Sequence, residues 1–199
     1  MKIEDILIET PLNIENIDWH YLNDDVKNRE MYRIFAIKKF KKVVEQVNSV
    51  ATIYRDGSQY FCLDTELKRI TYYMKFEVGN NGKIGDYVWQ SLVWRDFTIR
   101  YLSTIPQKMF FKYLLPKFGC ILTDSEQSWD GRRFWALRIS DAFTMNLNVY
   151  FYNFDGHKLV KMNNINDFRQ VQAQYDVWGG NDKHRMKRMV ITNKILPIR

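Results

Sequence analysis

The sequence predicts an α+β protein in which a mixed β-sheet is flanked by helices. Segments with the composition of strands alternate with helical segments between residues 86 and 152, in the order β-α-β-α-β. The chain has 199 residues, of which 46% are hydrophobic and 16% aromatic. That content supports one packed core, so we expect a single domain over residues 1–199.

The first quarter of the chain predicts an edge strand and a long helix. The apolar residues of Glu4–Thr10 form a short strand-like run that ends at Pro11. Apolar residues then recur at spacings of three and four, which predicts a helix from Val26 to Asn48. The apolar face of this helix consists of Met31, Ile34, Phe35, Val43, Val44 and Val47.

The opposite face of the predicted helix is basic. Clustered lysines can lie along a phosphate backbone, which makes this face the candidate contact for nucleic acid. Ordinary solvation of an amphipathic helix explains the same pattern, and a net charge of +7 fits either an anionic partner or simple solubility. The sequence leaves both interpretations open. The residues concerned are Arg33, Lys38, Lys39, Lys41 and Lys42.

The rest of the chain predicts an antiparallel meander followed by the alternating elements. Residues 50–76 contain β-branched and aromatic runs broken by the Asp56-Gly57 turn and by a second turn at residues 64–68. A turn at residues 79–82 leads into the next strand. The later predictions are strands at 86–94, 119–123, 147–153 and 188–193, helices at 104–115, 130–139 and 165–174, and a loop at 178–182.

Several kinds of chemistry are not indicated by the sequence. Cys62 and Cys120 lack C-x-x-C spacing, and the three histidines share no ligand spacing, so neither a disulfide framework nor a metal site is expected. The sequence has no phosphate-binding loop and no nucleophile elbow. No apolar run is long enough to cross a bilayer, and acidic residues interrupt the N-terminal run. We therefore expect a cytoplasmic protein that does not enter a membrane.

One run carries a family resemblance. A strand that begins at Gly119 ends in Thr123-Asp124, a Gln127-Ser128 pair follows, and Gly131 precedes an aromatic-rich helix. This run resembles phage-encoded members of the GNAT superfamily, the acyl-CoA-dependent N-acyltransferases, and the element order is similar over most of the chain. The resemblance implies a central sheet that splays open after Trp94 to admit acetyl-CoA. It also implies a phage protein, located in the host cytoplasm or in the virion.

The same run also has a purely structural explanation. Gly119 can close the preceding helix in a left-handed conformation. Asp124 and Ser125 can turn or cap the end of the strand, and Asp130 can cap the next helix. Phe134 and the apolar residues that follow it would form the buried side of that helix. The sequence does not decide between the two explanations.

The resemblance places the cofactor-binding turn at residues 100–109, where active family members have glycines that let backbone amides approach the CoA pyrophosphate. This stretch contains no glycine. Its Thr104-Ile-Pro-Gln107 segment fits a capping box, in which side chains already satisfy the helix amides, and Pro106 lacks an amide hydrogen. A helix end of this kind would bind a pyrophosphate poorly. The candidate cofactor-binding residues are Arg100, Thr104, Gln107 and Lys108.

The resemblance also suggests catalytic candidates. By position, Glu77 or Asp86 would be the base and Tyr150 or Tyr152 the acid, although tyrosines in an apolar strand are equally typical of a core. Because the cofactor turn departs from the family pattern, the sequence favours a divergent or non-catalytic scaffold. Such a scaffold would bind a protein partner, a virion or host component, or nucleic acid. The alternative is an active N-acyltransferase that moves an acyl group from acyl-CoA to an amine.

Overall fold

The computed structural model describes residues 17, 19–39, 41–124, 129–175, 177 and 186–198. The chain forms two compact units, one from residues 1–73 with 94–96 and the other from residues 74–93 with 97–199. The single-domain prediction is not tested by this division and stays a prediction. The predicted edge strand Glu4–Thr10 and the predicted loop at 178–182 lie outside the described residues.

The first unit packs two helices with an antiparallel meander. Its helices are α1 and α2, and strands β1 to β4 are neighbours in sequence order. The meander predicted over residues 50–76 corresponds to β2, β3 and β4, whereas β1 lies where a helix was expected. The two-residue turn between β2 and β3 consists of Gly57 and Ser58, and Gly57 has a φ of +55°. Asp56 pairs with Gln59 as the last residue of β2, so of the predicted Asp-Gly pair the glycine alone takes the left-handed conformation. The bounds are α1 Trp19–Asn23, α2 Asp25–Ile37, β1 Lys42–Gln46, β2 Ala51–Asp56, β3 Gln59–Asp64 and β4 Arg69–Asn81. Strand β4 continues into the second unit.

The long helix predicted from Val26 to Asn48 is wrong beyond Ile37. Lys38 adopts an extended backbone, and the Lys41 ammonium donates to the carbonyl oxygens of Phe35 (2.8 Å) and Ala36 at the end of α2. Val43 and its neighbours then pair with β2 across an antiparallel ladder. Valines at a spacing of three or four fit a helical period, but their branched side chains also suit a strand, and here pairing with β2 decides.

The basic helical face is therefore not present as predicted. Of its five residues, Arg33 alone lies in α2, because Lys38, Lys39 and Lys41 follow the helix and Lys42 begins β1. Lys38 forms an ion pair with Asp56. The geometric reason for a nucleic-acid contact is lost with this face, and a nucleic-acid partner as such stays a prediction.

Asn28 joins α2 to β4 inside the first unit. Its side-chain amide is fully buried, accepts a hydrogen bond from the Ile70 amide (2.7 Å), and donates to the carbonyl oxygens of Leu22 (2.8 Å) and Ile70 (3.0 Å). The asparagine thus satisfies both backbone groups of one strand residue and the carbonyl oxygen of a residue in α1. Buried polar groups stabilise a fold when all of their partners are present, as they are here.

The second unit contains the mixed part of the sheet. Its strand order is β4-β5-β6-β9-β7-β8. The β5–β6 pair is parallel, and the β6–β9, β7–β9 and β7–β8 pairs are antiparallel. The α+β class with a mixed sheet flanked by helices is thereby confirmed. The bounds are β5 Gly85–Arg95, β6 Cys120–Leu122, α4 Trp129–Thr144, β7 Asn148–Asn153, β8 Lys158–Met162, α5 Ile165–Tyr175 and β9 Lys187–Thr192.

Helix α3 connects β5 to β6 and is longer and less regular than predicted. It consists of a 3₁₀ turn Arg100–Thr104, an α segment Ile105–Lys108, a π segment Met109–Leu114 and a final α turn Leu115–Phe118. Gly119 closes it with φ of +79°, and its amide donates to the Leu115 carbonyl oxygen at 2.8 Å. The predicted role of Gly119 as the glycine that ends this helix is confirmed.

Strand β8 was not predicted, and other boundaries moved by a few residues. β8 forms a hairpin with β7 around the turn that contains His157, and it lies last in the strand order. Such a short edge strand has little sequence signal. Helix α4 starts at Trp129, so Asp130 lies in its first turn and is not its cap. No helix in the described part of the chain has the length and apolarity to span a bilayer.

The role of Asn28 can be measured directly. We expect Asn28→Ala to lower the free energy of unfolding by about 2–4 kcal/mol, because it leaves an amide and two carbonyl oxygens buried without this partner. Urea unfolding followed by circular dichroism gives this value. Asn193→Ala, at an exposed position, is the control and should change stability by less than about 0.5 kcal/mol. Equal effects of the two substitutions would contradict the assignment.

Candidate functional site

The two parallel strands at the centre of the second unit, β5 and β6, share a short ladder. Their ladder has two register pairs, Val88 with Ile121 and Trp89 with Leu122. Past this point the chain after β6 follows β9, because the Thr123 amide donates to the Met189 carbonyl oxygen at 3.0 Å. Strand β5 meanwhile continues to Arg95. In the described residues the β5–β6 ladder therefore ends at Trp89 and Leu122, a position that we call the opening, and the predicted splay of the sheet after Trp94 stays a prediction.

The Asp124 carboxylate stands just past the end of this ladder. Its Oδ2 atom accepts a hydrogen bond from Gln90 Nε2 of β5 at 3.1 Å and from Trp135 Nε1 of α4 at 3.5 Å. Gln90 is buried and Trp135 fully so. Three elements thus hold one carboxyl group: β6 brings it to the opening, β5 supplies an amide donor, and α4 supplies an indole donor.

Burial changes the acidity of this carboxyl group. Loss of water raises the pKa of Asp124 to about 7, and the Gln90 and Trp135 hydrogen bonds and the charge of Arg188 only partly offset that rise. A carboxyl group with a pKa near neutrality exchanges its proton readily at physiological pH. Such groups are enriched at functional sites, and this one also lies at an opening between strands.

Arg188 of β9 lies close to the same opening. Its Nη1 atom donates to the Thr123 carbonyl oxygen at 3.2 Å, and the Thr123 hydroxyl oxygen accepts from the Met189 amide at 3.0 Å. These bonds tie the residue before Asp124 firmly to β9. Burial lowers the pKa of Arg188, and the negative charge of Asp124 works in the opposite direction. With its usual value far above neutrality, this guanidinium remains cationic at physiological pH.

A partly open pocket of about 160 Å³ adjoins Arg188 and Thr123. Gly79 of β4 shapes one of its walls, because a Cβ there would lie 2.6 Å from the Tyr87 ring. The volume of the pocket is below the range of about 300–1,000 Å³ that is typical of pockets for drug-sized ligands, so the pocket fits one ring or a short chain. The pocket is lined by Tyr87, Trp89, Leu122, Thr123, Phe154, Met186 and Arg188.

The catalytic candidates from the sequence lie on β4, β5 and β7. Glu77 and Asp86 are exposed, and Asp86 accepts a hydrogen bond from the Asn80 side chain. Tyr150 is fully buried, and its hydroxyl oxygen accepts from the Leu196 amide at 3.1 Å, which anchors the C-terminal segment. Tyr152 is buried beside Asn81. The structure therefore gives Tyr150 and Tyr152 places in the core, in one cluster with Leu122, and a catalytic role of the four residues stays a prediction.

The capping box predicted at Thr104 is wrong. Thr104 forms no side-chain capping hydrogen bond, and the helix begins earlier, at Arg100, after Ile99, which has no capping side chain either. The local 3₁₀ turn moves Thr104 inside the helix, where its hydroxyl cannot take the capping position. Arg100 and Thr104 are exposed, and Gln107 and Lys108 are partly buried. The self-satisfied helix end that argued against phosphate binding is absent.

The sequence pattern predicts for Asp124 only a role in a turn or as a cap, and it predicts no role for Gln90. An acidic residue directly after a short central strand was the available signal, since ligand sites of mixed sheets gather at such strand ends. A glutamine in the apolar run of β5 was a second one. Neither signal alone distinguishes a site from a polar residue at a strand end, because the pairing of Gln90 with Asp124 spans 34 residues of sequence.

The two cysteines do not supply a nucleophile to this site. Both are buried and free, and burial raises the pKa of the Cys62 thiol to about 11. The Cys120 thiol donates to the Ile84 carbonyl oxygen at 3.3 Å, and burial also raises its pKa. Both thiols are therefore protonated at neutral pH, and the thiolate is the reactive form. In the described part of the chain, no three His, Cys, Asp or Glu side chains form a metal-binding group.

The acidity of Asp124 predicts a pH dependence of stability. The folded-state pKa of Asp124, about 7, lies above the ordinary aspartate value of 3.8, so the folded chain binds the proton more tightly than the unfolded chain. Stability should therefore fall as pH rises from about 4 to about 7 and then level off. We expect Asp124→Asn to remove this fall and to be more stable than wild type at pH 8 by on the order of 2–4 kcal/mol.

Urea unfolding at a series of pH values measures this difference. Asp155→Asn, which changes an exposed aspartate in the β7–β8 turn, is the matched control and should keep the wild-type pH dependence. A wild-type profile in Asp124→Asn would show that the Asp124 carboxyl group is not the titrating group.

Comparison with models of protein families, with curated proteins and with solved structures finds no match to this chain.

Proposed function

We propose that this chain is a GNAT-like N-acyltransferase in which Asp124 acts as the general base. One observation carries the proposal: a buried carboxyl group with a pKa of about 7 stands just past the end of the two-pair ladder between the central parallel strands. A mixed sheet that splays near its middle is the feature that the family resemblance implies. The base belongs to a residue that the sequence did not nominate.

The residues around the opening suit an acyl-CoA in part. At the start of α3, no side chain caps the first amides of the helix, and Arg100 is an exposed cation one residue after Ile99. Arg100 and Lys108 would hold the phosphates, since cations near a helix N-terminus favour anions. Acyl-CoA would supply an acyl group activated as a thioester. The chain's own contribution is the placement of a base beside the opening.

Asp124 can serve an amine acceptor in a simple way. A protonated amine must lose a proton before its nitrogen can attack the thioester carbonyl, and a carboxylate with a pKa near 7 accepts that proton at neutral pH. The attack would form the amide C–N bond, break the C–S bond and release CoA as its thiol. Gln90 and Trp135 both donate to Oδ2, so they orient the carboxyl group and stabilise its charged form. Gln90 and Trp135 are accordingly positioning residues, and Asp124 is the proposed proton acceptor.

A second candidate function is a scaffold that binds a partner without catalysis. The first turns of α3 favour it, since they contain no glycine and Ile105 and Pro106 are buried there. Without glycines, the backbone of this turn cannot approach a pyrophosphate as closely as in an active family member. The partner would be a protein, such as a virion or host component, or nucleic acid.

Acetyl-CoA titration separates the two functions. We expect saturable binding by calorimetry in wild type and in Asp124→Asn, because the substitution leaves Arg100 and Lys108 unchanged. Release of free CoA in the presence of spermidine or an Nα-blocked lysine should fall about 100-fold or more in the variant. The wild-type rate should rise with pH up to about 7, as Asp124 loses its proton.

Other outcomes would decide against parts of this proposal. Wild-type turnover in Asp124→Asn would remove the base assignment. Absence of acetyl-CoA binding would remove the acyltransferase and leave the scaffold. Retention on a DNA column that declines with salt would then identify nucleic acid as the partner, because phosphate contacts weaken as salt rises.

A further inference from the structure

We propose that the pocket beside Arg188 binds a small arylcarboxylate, with the carboxylate on the Arg188 guanidinium and the ring between the aromatic walls. This inference goes beyond the proposed function, because it concerns a second ligand and needs no acyl-CoA. It rests on the volume of the pocket, on its aromatic lining and on its single charge.

The volume limits the ligand to one ring. The pocket holds about 160 Å³, and an apolar protein cavity of about 150 Å³ is known to accept benzene. The pocket is partly open, which leaves room for a substituent of the ring that projects toward solvent. A nucleotide or a CoA tail is several times larger, so neither fits inside the pocket itself.

The walls favour a flat apolar ring. Three of the seven lining residues are aromatic, namely Tyr87, Trp89 and Phe154. The centroids of the Tyr87 and Trp89 rings lie 5.6 Å apart with their planes 37° apart, and Phe154 packs on Tyr152 at 4.5 Å. Because neighbouring rings hold them, these side chains form fixed walls, against which a ligand ring can pack edge to face or in offset stacking.

The charge favours a carboxylate. Among the seven lining residues, all within the described part of the chain, Arg188 is the one that carries a charge. Its hydrogen bond to the Thr123 carbonyl oxygen uses one of the five donors of a guanidinium and fixes the group in place. A planar guanidinium matches the two oxygens of a carboxylate, whereas a phosphate dianion would need further cations.

The first test uses benzoate as the probe on the full chain. Titration followed by ¹⁵N-resolved NMR of the Trp89 indole should show saturable binding with a Kd on the order of 1 mM, as expected for a ligand of this size. Benzyl alcohol, which lacks the charge, and acetate, which lacks the ring, should each bind at least 10-fold more weakly. Equal affinity for benzoate and benzyl alcohol, or no saturable shift at millimolar benzoate, would overturn the proposal.

Two variants test the assigned cation. Arg188→Gln should weaken benzoate binding at least 10-fold, and Arg188→Lys should fall between this variant and wild type because it keeps the charge without the fork. Arg29→Gln removes the same charge from an exposed position on α2 and should leave the Kd unchanged. If Arg188→Gln fails to fold, Arg188→Lys decides, and wild-type affinity in a folded Arg188 variant would overturn the assignment.

A second pair of variants tests the wall without changing any charge. Gly79→Ala places a methyl group against the Tyr87 ring, whereas a Cβ at Gly82 meets nothing within 4 Å. We expect Gly79→Ala to weaken benzoate binding several-fold and Gly82→Ala to have no effect. Equal affinities would show that the Tyr87 wall does not form the site.

The two proposals fail independently. Benzoate binding without acetyl-CoA binding would remove the acyltransferase and leave the pocket. Acetyl-CoA turnover without benzoate binding would remove the pocket proposal alone.

Discussion

The parallel pairing of β5 and β6 is the constraint on which the second unit depends. Two parallel neighbours cannot be joined by a tight turn, so the chain must cross over between them, and here it does so through α3. The pairing itself is brief, with two register pairs in the described residues. Beyond that point the backbone groups of each strand need other partners, and β9 supplies them for Thr123.

The opening is held in place by side chains that also determine its chemistry. Gln90 bridges from β5 to Asp124, and Trp135 approaches the same carboxyl oxygen from α4. Burial of a carboxyl group costs free energy, which the rise of its pKa to about 7 expresses. Asn28 in the first unit presents the opposite case, because all three of its hydrogen bonds have well-matched partners. The buried Asn28 amide therefore stabilises the fold, whereas burial of the Asp124 carboxyl group lowers the free energy of unfolding.

Two neighbouring features of the second unit therefore have distinct chemistry. Asp124 offers a proton acceptor near neutrality, and the pocket beside Arg188 offers an aromatic recess with one cation. Thr123 connects them, since it precedes Asp124, lines the pocket and accepts the Arg188 hydrogen bond. A transferase of the proposed kind would have its base and its ligand recess next to each other, beside the neighbouring strands β6 and β9. A scaffold would use the recess without the base.

The sequence determined the class of the fold and most of its elements. Period and composition were sufficient for strands β2 to β7, β9 and helices α3 to α5, because these segments carry strong local patterns. The same patterns failed at residues 38–48, where the valines of β1 fit a helical spacing, and at β8, whose run is short. A local capping motif also misled at Thr104, because the helix starts one turn earlier than the motif implied.

Only the tertiary structure decided where the candidate site lies. Gln90, Asp124 and Trp135 come from three elements, and nothing local in the sequence states that their side chains meet. The aromatic pocket likewise combines β5, β6 and β9 with the residues beside them. Local patterns fix the elements because they depend on neighbouring residues, whereas a pKa or a pocket depends on which distant segments exclude water together.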